Sequence, residues 1–219
     1  MRNTVLEWAQ QHKIIAIVRG IESEKCLKVA NALYEGGIRM MEVTYDQRNP
    51  ASWQSTADAI GAIAKQFEGK MLVGAGTVTS TELVEMTHKA GGLFIISPDV
   101  NVGVIRRTRE LGMVSMPGAF TPTEVMVAHA AGADVVKLFP AGNLGPSYLK
   151  AIRAPISHVK MMAVGGINEK NIGDFLAAGA VGVGVGGNLA NREWIEAGEF
   201  EKITETAKAM VAAIAAANK

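Results

Sequence analysis

DVVKLFPA, residues 134–141, is the sixth of eight short apolar runs in this 219-residue chain, and it places a lysine in the middle of the run. The runs are rich in Val, Ile and Met and mostly do not alternate with polar residues, which is typical of parallel strands buried on both faces. They predict eight strands, namely Ile14–Arg19, Met40–Thr44, Met71–Ala75, Leu93–Ser97, Met113–Met116, Val135–Phe139, Lys160–Val164 and Val181–Val185.

Helix signals separate the predicted strands. Thr121-Pro122-Thr123-Glu124 has the pattern of a capping box with proline at the first helical position, and Asn49-Pro50 and Asn168 are predicted to begin two other helices. Eight strand–helix units in a chain of this length predict an α/β fold, a (β/α)8 TIM barrel, whose usual size is about 250 residues. A doubly wound open sheet is the alternative, although it normally has fewer repeats.

One further helix is predicted before the first strand. It spans Asn3–Gln11, and its Val5 and Trp8 are expected to cover the bottom of the barrel. A last helix is predicted from Glu199 to about Ala217, with its apolar residues on one stripe. No linker or low-complexity segment interrupts the sequence, so residues 1–219 are predicted to form a single barrel domain.

Composition argues against several classes of partner. The net charge of +1 gives no electrostatic basis for binding nucleic acid or a membrane surface, and no apolar run approaches the roughly 20 residues that span a bilayer. Cys26 is the only cysteine, so an intramolecular disulfide is impossible and a reducing compartment, by default the cytoplasm, is predicted. A small molecule is the expected partner.

Lys137 and Glu42 are charges set in apolar strands. A buried ammonium must find a partner or lose its proton, and a neutral lysine is a nucleophile toward carbonyl carbon. The alternative for Lys137 is a position at the strand end that points to water. Glu42 either forms a structural ion pair with Arg19 or Lys137, or it works with Lys137 in acid–base chemistry.

Barrels of this kind carry their chemistry at the carboxyl ends of the strands. Predicted strands seven and eight end in the glycine pairs Gly165-Gly166 and Gly186-Gly187, at the place where such barrels often bind phosphate through main-chain N–H groups. The alternative is that these glycines relieve crowding at the rim. Arg19 offers a bidentate partner for an anion and Thr77 a hydroxyl, unless each satisfies loop carbonyls instead.

No metal or cofactor is predicted. The four histidines, His12, His88, His129 and His158, do not have the spacing of metal ligands. The segment Gly182–Gly187 does not follow the G-x-G-x-x-G pattern, so a dinucleotide is not expected.

The chain resembles the 2-keto-3-deoxy-6-phosphogluconate and 4-hydroxy-2-oxoglutarate aldolases, which form a Schiff base with pyruvate. The resemblance covers nearly the whole chain and rests on GIRMMEVT (37–44), VGAGTV (73–78), ISPD (96–99), PG (117–118), VKLFPA (136–141) and VGGI (164–167). It implies that Lys137 forms the imine and that Glu42 shuttles protons, without a metal or other cofactor.

The same resemblance implies roles for the residues around this pair. Thr77, Pro98 and Phe139 are expected to line the pyruvate pocket. The residues expected to hold the substrate phosphate are Gly165, Gly166, Gly186, Gly187 and Asn188. Family resemblance also implies a homotrimer.

Two positions depart from the family pattern. Many members bind the pyruvate carboxylate with an arginine where this chain has Asp46, so either Arg48 or Arg19 takes that role or the substrate differs. The branch that acts on the galactonate isomer also lacks this arginine and shares the Arg-Gly end of the first strand. Gly187 stands where relatives often have a serine that holds phosphate.

The sequence therefore predicts a class I aldolase that cleaves a 2-keto-3-deoxy-6-phospho sugar acid, of the phosphogluconate or phosphogalactonate type, to pyruvate and glyceraldehyde 3-phosphate. One alternative is an aldolase for 4-hydroxy-2-oxoglutarate or a non-phosphorylated keto acid. Others are an isomerase or phosphate-transfer synthase on the same barrel, and a non-catalytic barrel that binds sugar-acid phosphates.

Overall fold

The computed structural model describes residues 1–217 and consists of parallel strands arranged as a barrel, with helices around it. The strands are β1 (Ile14–Val18), β2 (Met40–Thr44), β3 (Leu72–Gly76), β4 (Phe94–Ile96), β5 (Val114–Met116), β6 (Gly118–Ala119), β7 (Val136–Leu138), β8 (Met161–Val164) and β9 (Val183–Val185). The helices are α1 (Arg2–His12), α2 (Ser23–Glu35), α3 (Trp53–Gln66), α4 (Thr81–Lys89), α5 (Val102–Glu110), α6 (Pro122–Ala130), α7 (Gly145–Arg153), α8 (Ile172–Ala177), α9 (Arg192–Ala197) and α10 (Phe200–Ala217).

The sheet runs in the order β5-β4-β3-β2-β1-β9-β8-β7-β6, so its two ends are neighbours in sequence. β5 and β6 are two pieces of the fifth barrel strand, separated by Pro117, and they pair with β4 and β7 respectively. Proline has no N–H to donate to a ladder, which accounts for the break. The (β/α)8 barrel and its eight strands are confirmed; the predicted fifth strand, Met113–Met116, is too short because it omits β6.

Helix starts agree with the predictions in two of three cases. The capping box at Thr121 and Glu124 is confirmed at the start of α6. Asn49 precedes a short 3-10 turn at Pro50–Ser52 that leads into α3. The start predicted at Asn168 is wrong, because α8 begins only at Ile172. The Asn168 N–H instead donates to the Asn171 side chain at 2.9 Å, and such local side-chain bonds compete with helix formation.

The barrel has two apolar cores. The outer core lies between the strands and the helices, and the inner core fills the lower part of the barrel with residues such as Ile15, Met40 and Phe94. Val5 of α1 belongs to the inner core and is 1% exposed, with Trp8 packed beside it. The prediction that the first helix covers the barrel bottom is therefore confirmed.

A buried carboxylate joins three elements near the start of β7. The Asp134 side chain, which is 2% exposed, accepts hydrogen bonds from Arg2 of α1 and Arg109 of α5. Its second oxygen accepts the Ser115 main-chain N–H at 2.9 Å. These contacts fix the amino end of β7 against its neighbours.

Candidate active site

Lys137 and Glu42 point into the barrel. On β7, Val136 and Leu138 belong to the outer core, so the side chain between them faces the interior because successive residues of a strand point to opposite faces. On β2 the two neighbours of Glu42 belong to the outer core as well. Lys137 is 4% exposed and Glu42 is 1% exposed. The lysine is therefore not a strand-end residue that points to water.

Burial shifts the pKa of both groups toward their neutral forms. It raises the pKa of the Glu42 carboxyl to about 7, against the opposing effect of the positive charges on Lys137 and Arg19. Burial also lowers the pKa of Lys137; the Glu42 carboxylate opposes this fall in pKa and Arg19 reinforces it. The neutral amine is the form that attacks a carbonyl carbon.

The Glu42 carboxyl group is enclosed without a protein partner. Neither of its oxygens has a hydrogen-bonding partner among residues 1–217, and no ion pair there joins it to Lys137 or Arg19. The alternative of a structural ion pair is therefore not what the structure contains. A carboxyl group that is buried and left unpaired by the protein is available to exchange a proton with a bound molecule.

The neighbouring strand leaves room for this carboxyl group. A Cβ atom added to Gly76 of β3 would lie 2.2 Å from Oε1 of Glu42, and one added to Gly74 would lie 2.4 Å from the Phe94 ring. Both distances are far below van der Waals contact, so only glycine fits at either position. The two glycines of β3, Gly74 and Gly76, are thus required by the neighbouring atoms that they face.

Phe139 and Pro98 flank the strand of the lysine. The Nζ atom of Lys137 lies 4.7 Å from the centroid of the Phe139 ring, which is a cation–π distance when the amine is charged. Phe139 itself is 36% exposed, so its ring covers the lysine at the barrel mouth. Pro98 lies against Gly118, where a Cβ would be 2.4 Å from the proline carbonyl oxygen, and Gly118 pairs with Lys137.

A cavity of about 590 Å³ lies between the loops that follow β1 and β2 and the first turns of α2 and α3. Its lining includes Arg19, Thr44, Thr77 and Arg48, but neither Lys137 nor Glu42. Arg19 makes no hydrogen bond or ion pair within the described residues, yet its charge acts on the pKa of both Lys137 and Glu42. It is therefore a guanidinium available to an anion close to the lysine.

Asp46 and Arg48 form a turn at the outer edge of this cavity. The Arg48 N–H donates to Oδ1 of Asp46 at 2.9 Å, and the Arg48 guanidinium lies 3.6 Å from the same carboxylate. The Arg48 side chain is 93% exposed. Asp46 thus shapes the loop. Arg19 is also exposed, but its charge acts on the pKa of Lys137 and Glu42, whereas that of Arg48 is not among the causes of either shift.

The two predicted phosphate loops face the mouth from β8 and β9. Gly165 and Gly166 have φ values of 92° and 74°, which non-glycine residues rarely adopt. Gly187 has an ordinary φ and open space around its Cβ position, so glycine is not required there. The main-chain N–H groups of Gly166, Gly187 and Asn188 donate no hydrogen bond within residues 1–217. Main-chain N–H groups that are left unpaired in this way are suited to an anion.

A side chain joins the two loops. The Asn188 side-chain amide donates to the main-chain oxygen of Ile167 at 2.8 Å, across from the β9 loop to the β8 loop. The sequence suggested Asn188 only as a phosphate contact. Its link to Ile167 depends on two segments that are 21 positions apart and could not be read from the sequence.

Gln47 is a residue of the site that the sequence did not single out. It follows β2 and donates to the main-chain oxygen of Thr77 at 2.8 Å. Its only signal in the sequence is a polar side chain three positions after a strand that carries a buried glutamate.

Two features are absent from residues 1–217. No group of three or more His, Cys, Asp or Glu side chains there is arranged to hold a metal ion. No helix among these residues has both the length and the apolar character needed to cross a membrane.

Comparison with known proteins gives the family. The family model named KDPG and KHG aldolase matches residues 5–206. The chain belongs to this aldolase family. It is therefore an aldehyde-lyase, and the alternative of an isomerase or phosphate-transfer synthase is not supported.

Relatives of this aldolase agree in sequence and in structure. A probable 2-dehydro-3-deoxy-6-phosphogalactonate aldolase of Rhizobium meliloti is 41% identical over 180 residues, which is 82% of each chain. The solved structure of native KDPGal is 33% identical with a TM-score of 0.85, over 94% of this chain and 95% of that one. The KDPG aldolase of Legionella pneumophila, with pyruvate captured as a covalent carbinolamine, is 30% identical with a TM-score of 0.81, over 91% of this chain and 94% of that one.

Proposed function

We propose that this aldolase cleaves 2-keto-3-deoxy-6-phosphogalactonate, and more slowly its gluconate isomer, to pyruvate and glyceraldehyde 3-phosphate through a Schiff base on Lys137. The observation that carries the proposal is the enclosure of an amine and an unpaired carboxyl group, Lys137 and Glu42, in one barrel interior. The galactonate preference is supported by the relatives named above and by Asp46, which replaces the arginine of many other members.

The first half of the reaction forms the imine. Neutral Lys137 attacks C2 of the keto acid, and loss of water from the carbinolamine gives an iminium ion. Glu42 then removes the proton of the C4 hydroxyl group, directly or through a water, while the electrons of the C3–C4 bond move into the iminium. Glyceraldehyde 3-phosphate leaves and an enamine of pyruvate remains on Lys137.

The second half returns the proton. Protonated Glu42 delivers it to C3 of the enamine, and water hydrolyses the resulting iminium to pyruvate and free Lys137. A carboxyl group with a pKa of about 7 exists in both protonation states near neutral pH, so it can act as base in one step and as acid in the other.

Both ends of the substrate are anionic, and we assign them to different parts of the site. We assign the carboxylate to Arg19 and Thr77 rather than to Arg48, because Arg19 is unpaired and acts on the pKa of Lys137 while Arg48 is 93% exposed. The phosphate is assigned to the loops of Gly165-Gly166 and Gly186-Gly187, with Asn188 holding the loops together. Phe139 and Pro98 shield the imine from bulk water.

Borohydride reduction in the presence of pyruvate tests the imine. Borohydride adds hydride to the imine after the C2 oxygen of pyruvate has left as water, so a stable N-(1-carboxyethyl) adduct is expected on Lys137. Lys137→Met serves as the control that cannot form it. Absence of the adduct at saturating pyruvate would contradict the proposal. Pyruvate release from the galactonate and gluconate substrates, with and without phosphate, then ranks the substrates.

We also propose that the protein is a cytoplasmic homotrimer. Phe120, Met126 and Val127, on and before α6, are 38%, 39% and 44% exposed. The Phe120 ring packs on Tyr148 at 5.7 Å, which extends this apolar face. Apolar surface of this kind on one side of a helix is suited to a subunit interface. Sedimentation should give a trimer that Met126→Glu dissociates; a monomeric wild type would contradict this proposal.

A further inference from the structure

Thr77 has an unusual backbone conformation for its residue type. Its φ is 56°, in the left-handed region, although threonine is β-branched and this region favours glycine. The residue directly follows β3 and lines the cavity between the loops after β1 and β2, together with Arg19. Contacts from outside the segment must hold such a conformation, because the residue itself disfavours it.

Gln47 supplies such a contact through both ends of its side-chain amide. The NH2 group donates to the main-chain oxygen of Thr77 at 2.8 Å, and the amide oxygen accepts the Thr79 hydroxyl at 2.8 Å. A main-chain oxygen can only accept, so the NH2 group must face Thr77. The two bonds together fix the orientation of the amide as well as its position.

Gln47 starts from a well-anchored turn. The main-chain oxygen of Asp46 accepts the Trp53 indole N–H at 3.0 Å, and the Tyr45 N–H donates to Gly76 at 3.0 Å. The two residues that directly precede Gln47 are thereby held in place, and the Trp53 side chain closes the loop over it. Because its loop is held in place, the Gln47 side chain can fix the position of the Thr77 peptide to which it donates.

The next two main-chain oxygens are held from the opposite direction. Ser97 donates to the oxygen of Val78 at 2.7 Å, and Asn101 donates to the oxygen of Thr79 at 3.2 Å. Three successive peptides are therefore each bound by a side chain, and the bond to Thr77 is the one that comes from the loop after the Glu42 strand.

We propose that Gln47 is a positioning residue for the keto-acid end of the substrate. It holds the Thr77 peptide in its left-handed conformation and thereby sets the direction of the Thr77 hydroxyl toward the carboxylate of the imine. The proposal rests on the function assigned above. It predicts that Gln47 affects the binding of pyruvate and not the binding of glyceraldehyde 3-phosphate, whose phosphate is assigned to the loops after β8 and β9.

The test uses Gln47→Glu, which keeps the volume of the side chain and can still accept the Thr79 hydroxyl. Its carboxylate presents an acceptor to the Thr77 oxygen where glutamine presents a donor. In the aldol direction, the KM for pyruvate should rise about tenfold or more while the KM for glyceraldehyde 3-phosphate stays within twofold. The pyruvate concentration for half-maximal borohydride trapping should rise by the same factor.

Two further variants separate positioning from packing. Thr79→Val removes the second bond but leaves the donor to Thr77, so its KM for pyruvate should change less than threefold. In a Thr77→Gly background the side chain to be positioned is gone and the backbone strain is relieved, so adding Gln47→Glu should cause no further loss. An additive loss in the double variant, or an unchanged KM for pyruvate in Gln47→Glu, overturns the proposal.

The outcome also distinguishes this proposal from the assigned function. If wild-type protein forms no adduct with pyruvate, the assigned function fails and the role of Gln47 fails with it. If wild-type protein is trapped on Lys137 and Gln47→Glu is trapped equally well, only the role of Gln47 is refuted.

Discussion

The carboxyl group of Glu42 occupies the space that a side chain on Gly76 would fill. The two residues lie on adjacent strands of the barrel, and a Cβ at position 76 would come within 2.2 Å of Oε1 and 2.6 Å of Cδ. The proton-transfer group is therefore accommodated by the absence of one methyl group on its neighbour.

Gly76→Ala should displace Glu42 and lower both stability and activity. Overpacking of this kind typically costs about 1–3 kcal/mol, because the added methyl group forces its neighbours out of their rotamers. Urea unfolding measures the loss, and pyruvate release measures the activity of the folded protein. Gly173→Ala on α8 is the matched control, since its Cβ would have no neighbour closer than 3.9 Å. Equal behaviour of the two variants would contradict the role of Gly76.

The pKa of Glu42 predicts a dependence of stability on pH. Burial raises this pKa to about 7 from a usual value of 4.5, so the folded protein binds the proton more tightly than the unfolded chain does. Its stabilising effect is complete below pH 4.5 and is lost as the pH rises through 7. Relative to Glu42→Gln, the wild type should lose on the order of 3 kcal/mol of unfolding free energy across this range.

Urea titrations of both proteins at several pH values between about 4.5 and 8 measure this difference. The glutamine side chain of Glu42→Gln does not titrate in this range, so the variant gives the baseline with which the wild type is compared. A constant difference between the two proteins over the range would show that the carboxyl group is not perturbed.

Asn188→Ala should separate the two phosphate loops. The variant loses the bond to the oxygen of Ile167, so the β9 loop is no longer tied to the β8 loop. The KM for phosphorylated substrate should rise about tenfold, which corresponds to about 1.4 kcal/mol, while trapping by pyruvate stays unchanged. Asn191→Ala is the control, because Asn191 caps α9 through Glu193 and lies outside the loops. An equal rise in KM in the control would refute the prediction.

Asp134→Asn should lower stability without changing the chemistry. The buried carboxylate holds Arg2, Arg109 and the Ser115 N–H, and the amide cannot accept from all of them. Because both arginines are partly exposed, a loss of about 1–3 kcal/mol is expected. Glu205→Gln, in an exposed pair with Lys208, should cost less than about 0.5 kcal/mol. Unfolding midpoints compare the two, and pyruvate release per folded molecule should match the wild type in both.

The strands and the reactive pair could be predicted because their signal is local. An apolar run with one charge, as at Lys137 or Glu42, is informative wherever the run falls in the chain. The break at Pro117 was not predicted, because the second strand piece depends on its pairing with β7 and has only two residues.

The remaining features depend on segments that are distant in sequence. Gln47 donates to Thr77, which is 30 positions away in the sequence, and neither residue type alone predicts that contact. The helix start at Asn168 was predicted wrongly because asparagine is equally suited to a helix cap and to a turn. Here the Asn171 side chain accepts the Asn168 N–H, which stabilises the turn. The roles of the individual site residues stay predictions until the variants are measured.

The division of the apolar residues into two cores has a consequence for the evolution of new substrates. The outer core, which joins strands to helices, includes residues from every strand except β5, whereas the loops above carry Arg19, Thr77 and the glycine pairs. Selection can therefore exchange loop residues such as Asp46 while the shell that keeps the chain folded stays the same.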